Sequence, residues 1–86
     1  MKYYLYILQT QDNTLYCGIA LDVEKRFNEH LSGKCAKYTR AHKPLKIVYK
    51  KEFETKSEAL KEEIRIKKLS RAKKLELIAT QGVDKL

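Results

Sequence analysis

Five side chains spread along this 86-residue sequence have types that phosphoryl chemistry uses: Tyr6, Tyr16, Arg26, His30 and Glu63. An arginine offers a planar fork to phosphate oxygens, and a histidine exchanges a proton near neutral pH. A single carboxylate can hold Mg²⁺ when waters and a substrate phosphate complete the coordination. Their spacing decides whether they can meet. A three-residue loop over Gln11, Asp12 and Asn13, ending in a bulge, pairs Thr10 with Thr14 and sets Tyr6 opposite Gly18. Tyr4, Tyr6, Leu8, Tyr16, Gly18 and Ala20 then share one face, with Tyr6 and Tyr16 as diagonal neighbours about 7 to 8 Å apart at the backbone. Gly18, with no side chain, leaves a hollow where a phosphate could approach. A tyrosine pair with a glycine is also ordinary strand packing, since aromatics favour strands.

Arg26 and His30 lie one helical turn apart, beside the stripe Val23, Phe27 and Leu31. They border whatever that stripe covers, or are simple surface residues. Further on, the apolar positions Ala59, Leu60, Ile64, Ile66 and Leu69 centre on a helical wheel near Glu63, whereas Glu58 and Glu62 fall off that direction and read as solvated charge. A shielded carboxylate needs a partner. A metal ion would serve, as would an ion pair to Lys67 or to Arg26.

The elements that must position these groups follow from pattern. Tyr3 to Gln9 and Leu15 to Ala20 read as a hairpin. Asp22 opens a helix that Gly33 ends with a left-handed cap. From Lys34 to Lys43 the chain is basic without an acid and reads as an exposed loop, with Lys34, Lys37, Arg40 and Lys43 as candidate phosphate contacts. Leu45 to Phe53 alternates as a third strand. Thr55 and Glu58 form a capping box for a helix to about Leu69, and Ser70 caps a last helix carrying Leu75, Ile78 and Ala79, with Gly82 as its stop. The order β-β-α-β-α-α predicts an α+β fold in which the third strand adds to the hairpin and helices cover the sheet. Residues 1–86 are read as one domain, which is all that a chain of this length accommodates.

Nineteen Lys and Arg against 11 Asp and Glu give a net charge of +8 and a pI near 9.5. Such an excess points to a polyanionic partner, because neutralising phosphates releases condensed counterions. Nucleic acid is expected, and no membrane partner, since no apolar run approaches the ~20 residues that span a bilayer. Cys17, His30, Cys35 and His42 lack the paired spacing of a zinc site, so the cysteines read as free thiols in a cytoplasmic protein. No Gly-rich phosphate loop or small-molecule cofactor motif is present.

Tyr4-Leu5-Tyr6 followed by Leu15-Tyr16-Cys17-Gly18 resembles the paired motifs of the GIY-YIG nuclease superfamily. Asp22 to His30 is similar to that family's Arg-bearing helix, and Glu63 matches its metal-binding glutamate. Ala36 to Arg40 and Ile66 to Arg71 resemble segments of its short stand-alone URI-type, or YhbQ-like, bacterial members. The resemblance implies a three-stranded antiparallel sheet flanked by helices, with Tyr6, Tyr16, Arg26, His30 and Glu63 lining one concave site around Gly18. It also implies a metal-dependent endonuclease in which Tyr16, assisted by Tyr6 or His30, deprotonates a water. Glu63 would hold one Mg²⁺ or Mn²⁺ and Arg26 would stabilise the developing charge. The sequence departs from the family where larger members carry a Lys after the glycine, here Ile19, and in having no Asn after Asn28. Structure-selective or nicking action on DNA, in repair or recombination, by a monomer is the leading expectation. The rivals are a non-catalytic nucleic-acid-binding module and an adaptor docking through its basic helices.

Overall fold

Turn chemistry decides the first element pair. In a computed structural model describing residues 2–81, Tyr3–Thr10 (β1) and Leu15–Ala20 (β2) form an antiparallel hairpin. Asn13 takes the positive φ of 65° that the bulged loop requires, the Thr10 N–H donates to the Thr14 carbonyl at 2.9 Å, and Tyr6 stands opposite Gly18, as the spacing predicts. Asp12, at the loop tip, is gripped by the Thr10 hydroxyl and by His42, and these hydrogen bonds hold its carboxyl down at about 2.

Val23–Leu31 (α1) starts where the Asp22 side chain accepts the Lys25 N–H at 3.1 Å and stops at Gly33, whose φ of 77° suits glycine. The following basic segment is not wholly loop: Lys37–Ala41 (α2) is helical and its Thr39 is buried. Five residues are too few to show a 3.6-residue pattern. The order is thus β-β-α-α-β-α-α. Pro44–Phe53 (β3) pairs antiparallel with β1, giving sheet order β2-β1-β3. Pro44, lacking a donor, sits at the first position of an edge strand, where a ladder bond is not needed.

Lys56–Lys67 (α3) begins with the Thr55/Glu58 capping box, and Arg71–Gln81 (α4) with Ser70 accepting the Lys73 N–H at 3.2 Å. The expected stop at Gly82 lies outside the described residues. Because strand side chains alternate, the sheet has two packed faces. Tyr6, Leu8 and Ala20 pack with Val23 of α1, while Leu5, Ile7, Cys17 and Tyr49 lie under Ile66 of α3, with Leu77 and Ile78 of α4 against them. None of the described helices is long and apolar enough to cross a membrane.

Two helix faces differ from expectation. On α1, His30 is buried at 1% exposure while Leu31 is 45% exposed, so the histidine is inside the structure and not on its border. On α3 the buried axis runs through Ala59 and Ile66, which leaves Leu60 and Ile64 exposed and brings Glu62 inward together with Glu63. Glu62 is therefore not solvated charge: its side chain is 15% exposed and Arg65 forks it at 2.8 and 2.6 Å. Leu75, expected to pack, is exposed on α4.

Candidate active site

Gly18 and Tyr6 must be taken together. A Cβ at position 18 would come within 2.7 Å of the Tyr6 hydroxyl oxygen and 2.9 Å of Cζ, so the hollow expected for a phosphate is filled by the Tyr6 ring. Glycine is required there for the phenol to lie flat across β2. Because Tyr6 is itself buried and cannot swing away, Gly18→Ala is expected to destabilise the fold by about 1–3 kcal/mol through overpacking, measurable by urea titration.

With Tyr6 so placed, three rings converge. Centroid separations are 6.4 Å for Tyr6–Tyr16, 5.9 Å for Tyr6–His30 and 5.1 Å for Tyr16–His30. The Tyr6 hydroxyl lies 2.9 Å from His30 Nε2, and His30 Nδ1 lies 2.7 Å from Thr39 Oγ1. Thr39 has one hydroxyl proton and donates it to the Ala36 carbonyl at 3.0 Å. Its oxygen therefore accepts from His30 Nδ1–H, which leaves Nε2 to accept from Tyr6. The histidine is a neutral base of fixed tautomer.

Electrostatics follow the same layout. Burial, then Arg26, lower the His30 pKa against a weaker pull from Glu29. Burial raises the Tyr6 phenol well above its usual value, with Tyr16 and Cys35 adding and Arg26 opposing. Tyr16 is half-buried, and its phenol is raised by burial and Cys35 and eased by Lys67 and Arg26, with Glu63 adding to the rise. Tyr16 is thus the phenol that feels both the α1 groups and the α3 groups. The reason is topological: β2 is an edge strand, so α3 on one face and Tyr16 on the other come into electrostatic range around it.

Arg26 is 42% exposed, with Nη1 3.3 Å from Cys35 Sγ and 3.5 Å from Glu29 Oε1, loose contacts that leave the guanidinium able to turn to a phosphate. Glu63 is 17% exposed and its Oε2 lies 3.1 Å from Lys67 Nζ, so the ion pair is with Lys67 and not with Arg26. Among the described residues no three His, Cys, Asp or Glu gather into a protein-only metal cage. A lone, shielded carboxylate does fit Mg²⁺, which is bound through one or two carboxylates, waters and substrate phosphate. Lys67, 54% exposed, can release it at little cost.

Lys34, Lys37, Arg40 and Lys43 are all exposed around α2. Cys17 is buried with its thiol pushed up to about 12 by burial and Glu63, which makes it inert. Sequence reasoning missed Thr39, which fixes the His30 tautomer, and Cys35, which contacts Arg26. Neither has a local signal, since each acts only through a tertiary contact.

A family model described as the GIY-YIG catalytic domain matches residues 2–76. A UPF0213 protein of Staphylococcus saprophyticus is 51% identical over 78 residues, covering 91% of this chain and 95% of its own. Another from Cupriavidus necator is 54% identical over 72 residues, covering 84% of this chain and 78% of its own. The solution NMR structure of a UPF0213 protein from Bacillus halodurans is similar with a TM-score of 0.64 at 42% identity, over 98% of this chain and 89% of that one.

Proposed function

Because this chain belongs to the GIY-YIG catalytic-domain family, whose nuclease activity implies a nucleic-acid substrate, we propose that it is a metal-dependent endonuclease that cuts phosphodiester bonds in DNA. Nicking or structure-selective cleavage in DNA repair or recombination is the corresponding role. The observation that carries this reading is the hydrogen-bonded Tyr6–His30–Thr39 chain with Tyr16 packed against it.

Tyr16, the more accessible phenol and neutral because burial raises its pKa, takes the proton of the attacking water as the water oxygen bonds to phosphorus and gives up its own phenolic proton in the same step. Tyr6 takes that proton and passes its own along its hydrogen bond to Nε2 of neutral His30, which holds it as imidazolium near neutral pH. The leaving oxygen takes a proton from solvent. Tyr6 and Thr39 keep the imidazole in orientation, and Arg26 turns to the charge that develops on the phosphate oxygens. Mg²⁺ or Mn²⁺ held by Glu63 would supply Lewis-acid neutralisation of that phosphate. Lys34, Lys37, Arg40 and Lys43 bind the flanking phosphates.

A non-catalytic nucleic-acid-binding module is favoured by one observation: Glu63 is already neutralised by Lys67 in the free protein. The pure protein incubated with branched, nicked and single-stranded DNA in Mg²⁺, Mn²⁺ or EDTA separates the two. Metal-dependent nicking supports the endonuclease; salt-sensitive binding without nicking in any metal leaves the binding module.

A further inference from the structure

Aromatic rings continue beyond the hydrolytic cluster. Tyr16 stacks on Tyr38 with centroids 5.8 Å apart, and Tyr38 stacks on His42 at 4.4 Å, both with planes 24° from parallel. Tyr38 is 38% exposed, so part of its ring faces solvent. His42 is tied to Asp12 of the hairpin loop, and the neighbouring Thr39 to His30, so α2 is held at its middle and at its C-terminal cap.

Tyr16 and Tyr38 line a cavity of about 190 Å³ together with apolar Leu15 and Cys17 and the side chains of Lys67 and Lys74. That is smaller than the roughly 300–1,000 Å³ of pockets for drug-sized ligands, so it suits one flat ring system. The rings of Tyr16 and Tyr38, an apolar floor and two ammonium groups, that of Lys67 already paired with Glu63, match a nucleobase that carries a phosphate. Among the described residues Lys74 forms no ion pair, which leaves it available to that phosphate.

We propose that this cavity takes one unpaired nucleobase next to the scissile phosphate, so that the protein selects DNA with an unpaired nucleotide at the cut. Its position beside the cut rests on the nuclease reading, because the cavity shares Tyr16 with the hydrolytic cluster. A base held in a duplex cannot enter without leaving its stack, whereas a flap, bulge or single strand presents one freely. Tyr38 already stacks on Tyr16 and His42, so the base meets the part of its ring that these two leave exposed, a surface that needs no ordering on binding.

The test uses 2-aminopurine as the unpaired base of a bulged duplex, in metal-free buffer, with the full chain and with Glu63→Ala. Both proteins are expected to quench the probe and to bind bulged DNA more tightly than the fully paired duplex. Tyr38→Ala is expected to lose the quenching and to weaken bulge binding about tenfold or more, as for other stacked bases, with duplex binding unchanged. Tyr38→Phe keeps the ring and both properties, and Lys74→Ala weakens bulge binding without touching the stack. Unchanged bulge binding by Tyr38→Ala, or equal losses on bulge and duplex, would overturn the proposal. In a parallel nicking assay of the same proteins with Mg²⁺ or Mn²⁺, Tyr38-dependent quenching from a protein that never nicks would retain the base site and remove the nuclease reading; nicking indifferent to Tyr38 would do the reverse.

Discussion

Glu63→Ala is expected to lower the nicking rate by on the order of 10²–10³-fold, the scale for removing a charge-stabilising group from a reaction centre, while leaving thermal stability almost unchanged. The fold has little to lose there, because the side chain's one ion pair among the described residues, to Lys67 at i+4, is of a kind worth about 0.3–0.5 kcal/mol. Activity alone should respond. The adjacent residue gives the control: Glu62 is equally shielded but is held by Arg65, so Glu62→Ala should nick at close to the wild-type rate. Equal losses in both variants would mean that α3 is being disturbed as a whole.

His30→Ala is expected to cost more than activity. It empties a buried site and strands the Tyr6 hydroxyl, a loss of about 2–5 kcal/mol against the roughly 5–15 kcal/mol that folds a small domain. His30→Gln, which can still donate and accept, should recover much of the stability and none of the proton uptake, leaving nicking down by roughly 10²–10⁴-fold. The same histidine sets a pH dependence. Its folded pKa lies below the ordinary 6.5, so between those values the unfolded chain binds a proton that the folded chain does not. Its contribution to stability is therefore complete above pH 6.5 and is lost as pH falls through the folded value. Nicking should decline over the same acidic range, as neutral imidazole disappears. Urea midpoints and rates measured from pH 5 to 8 on wild type and His30→Gln check both; a decline of equal size in His30→Gln would assign it elsewhere.

Much of this was legible in the sequence because it depends on local chemistry. Asn13 and the loop length set the hairpin register, and the register alone puts Tyr6 beside Tyr16. The three-stranded antiparallel sheet with covering helices, and membership of the GIY-YIG family, follow the motifs in order. What the sequence concealed depends on small rotations and distant contacts. His30 and Leu31 are neighbours on α1, and only packing against Tyr6 and Thr39 decides which one turns inward. Glu62 and Glu63 straddle the line between Ala59 and Ile66, so both are shielded where the wheel singled out one. The space over Gly18 looked open because a glycine's emptiness says nothing about which neighbour fills it.

The most direct test removes one oxygen atom. Tyr16→Phe keeps the ring contacts with His30 and Tyr38, and the lost hydroxyl has no side-chain hydrogen bond among the described residues, so folding should be unaffected. Single-turnover nicking of a branched DNA in Mg²⁺, by wild type and Tyr16→Phe purified in parallel, is expected to show wild-type cleavage and a fall of about 100-fold or more in the variant. Equal rates in the two proteins, or no cleavage by wild type, would contradict the assignment of this site to phosphodiester hydrolysis.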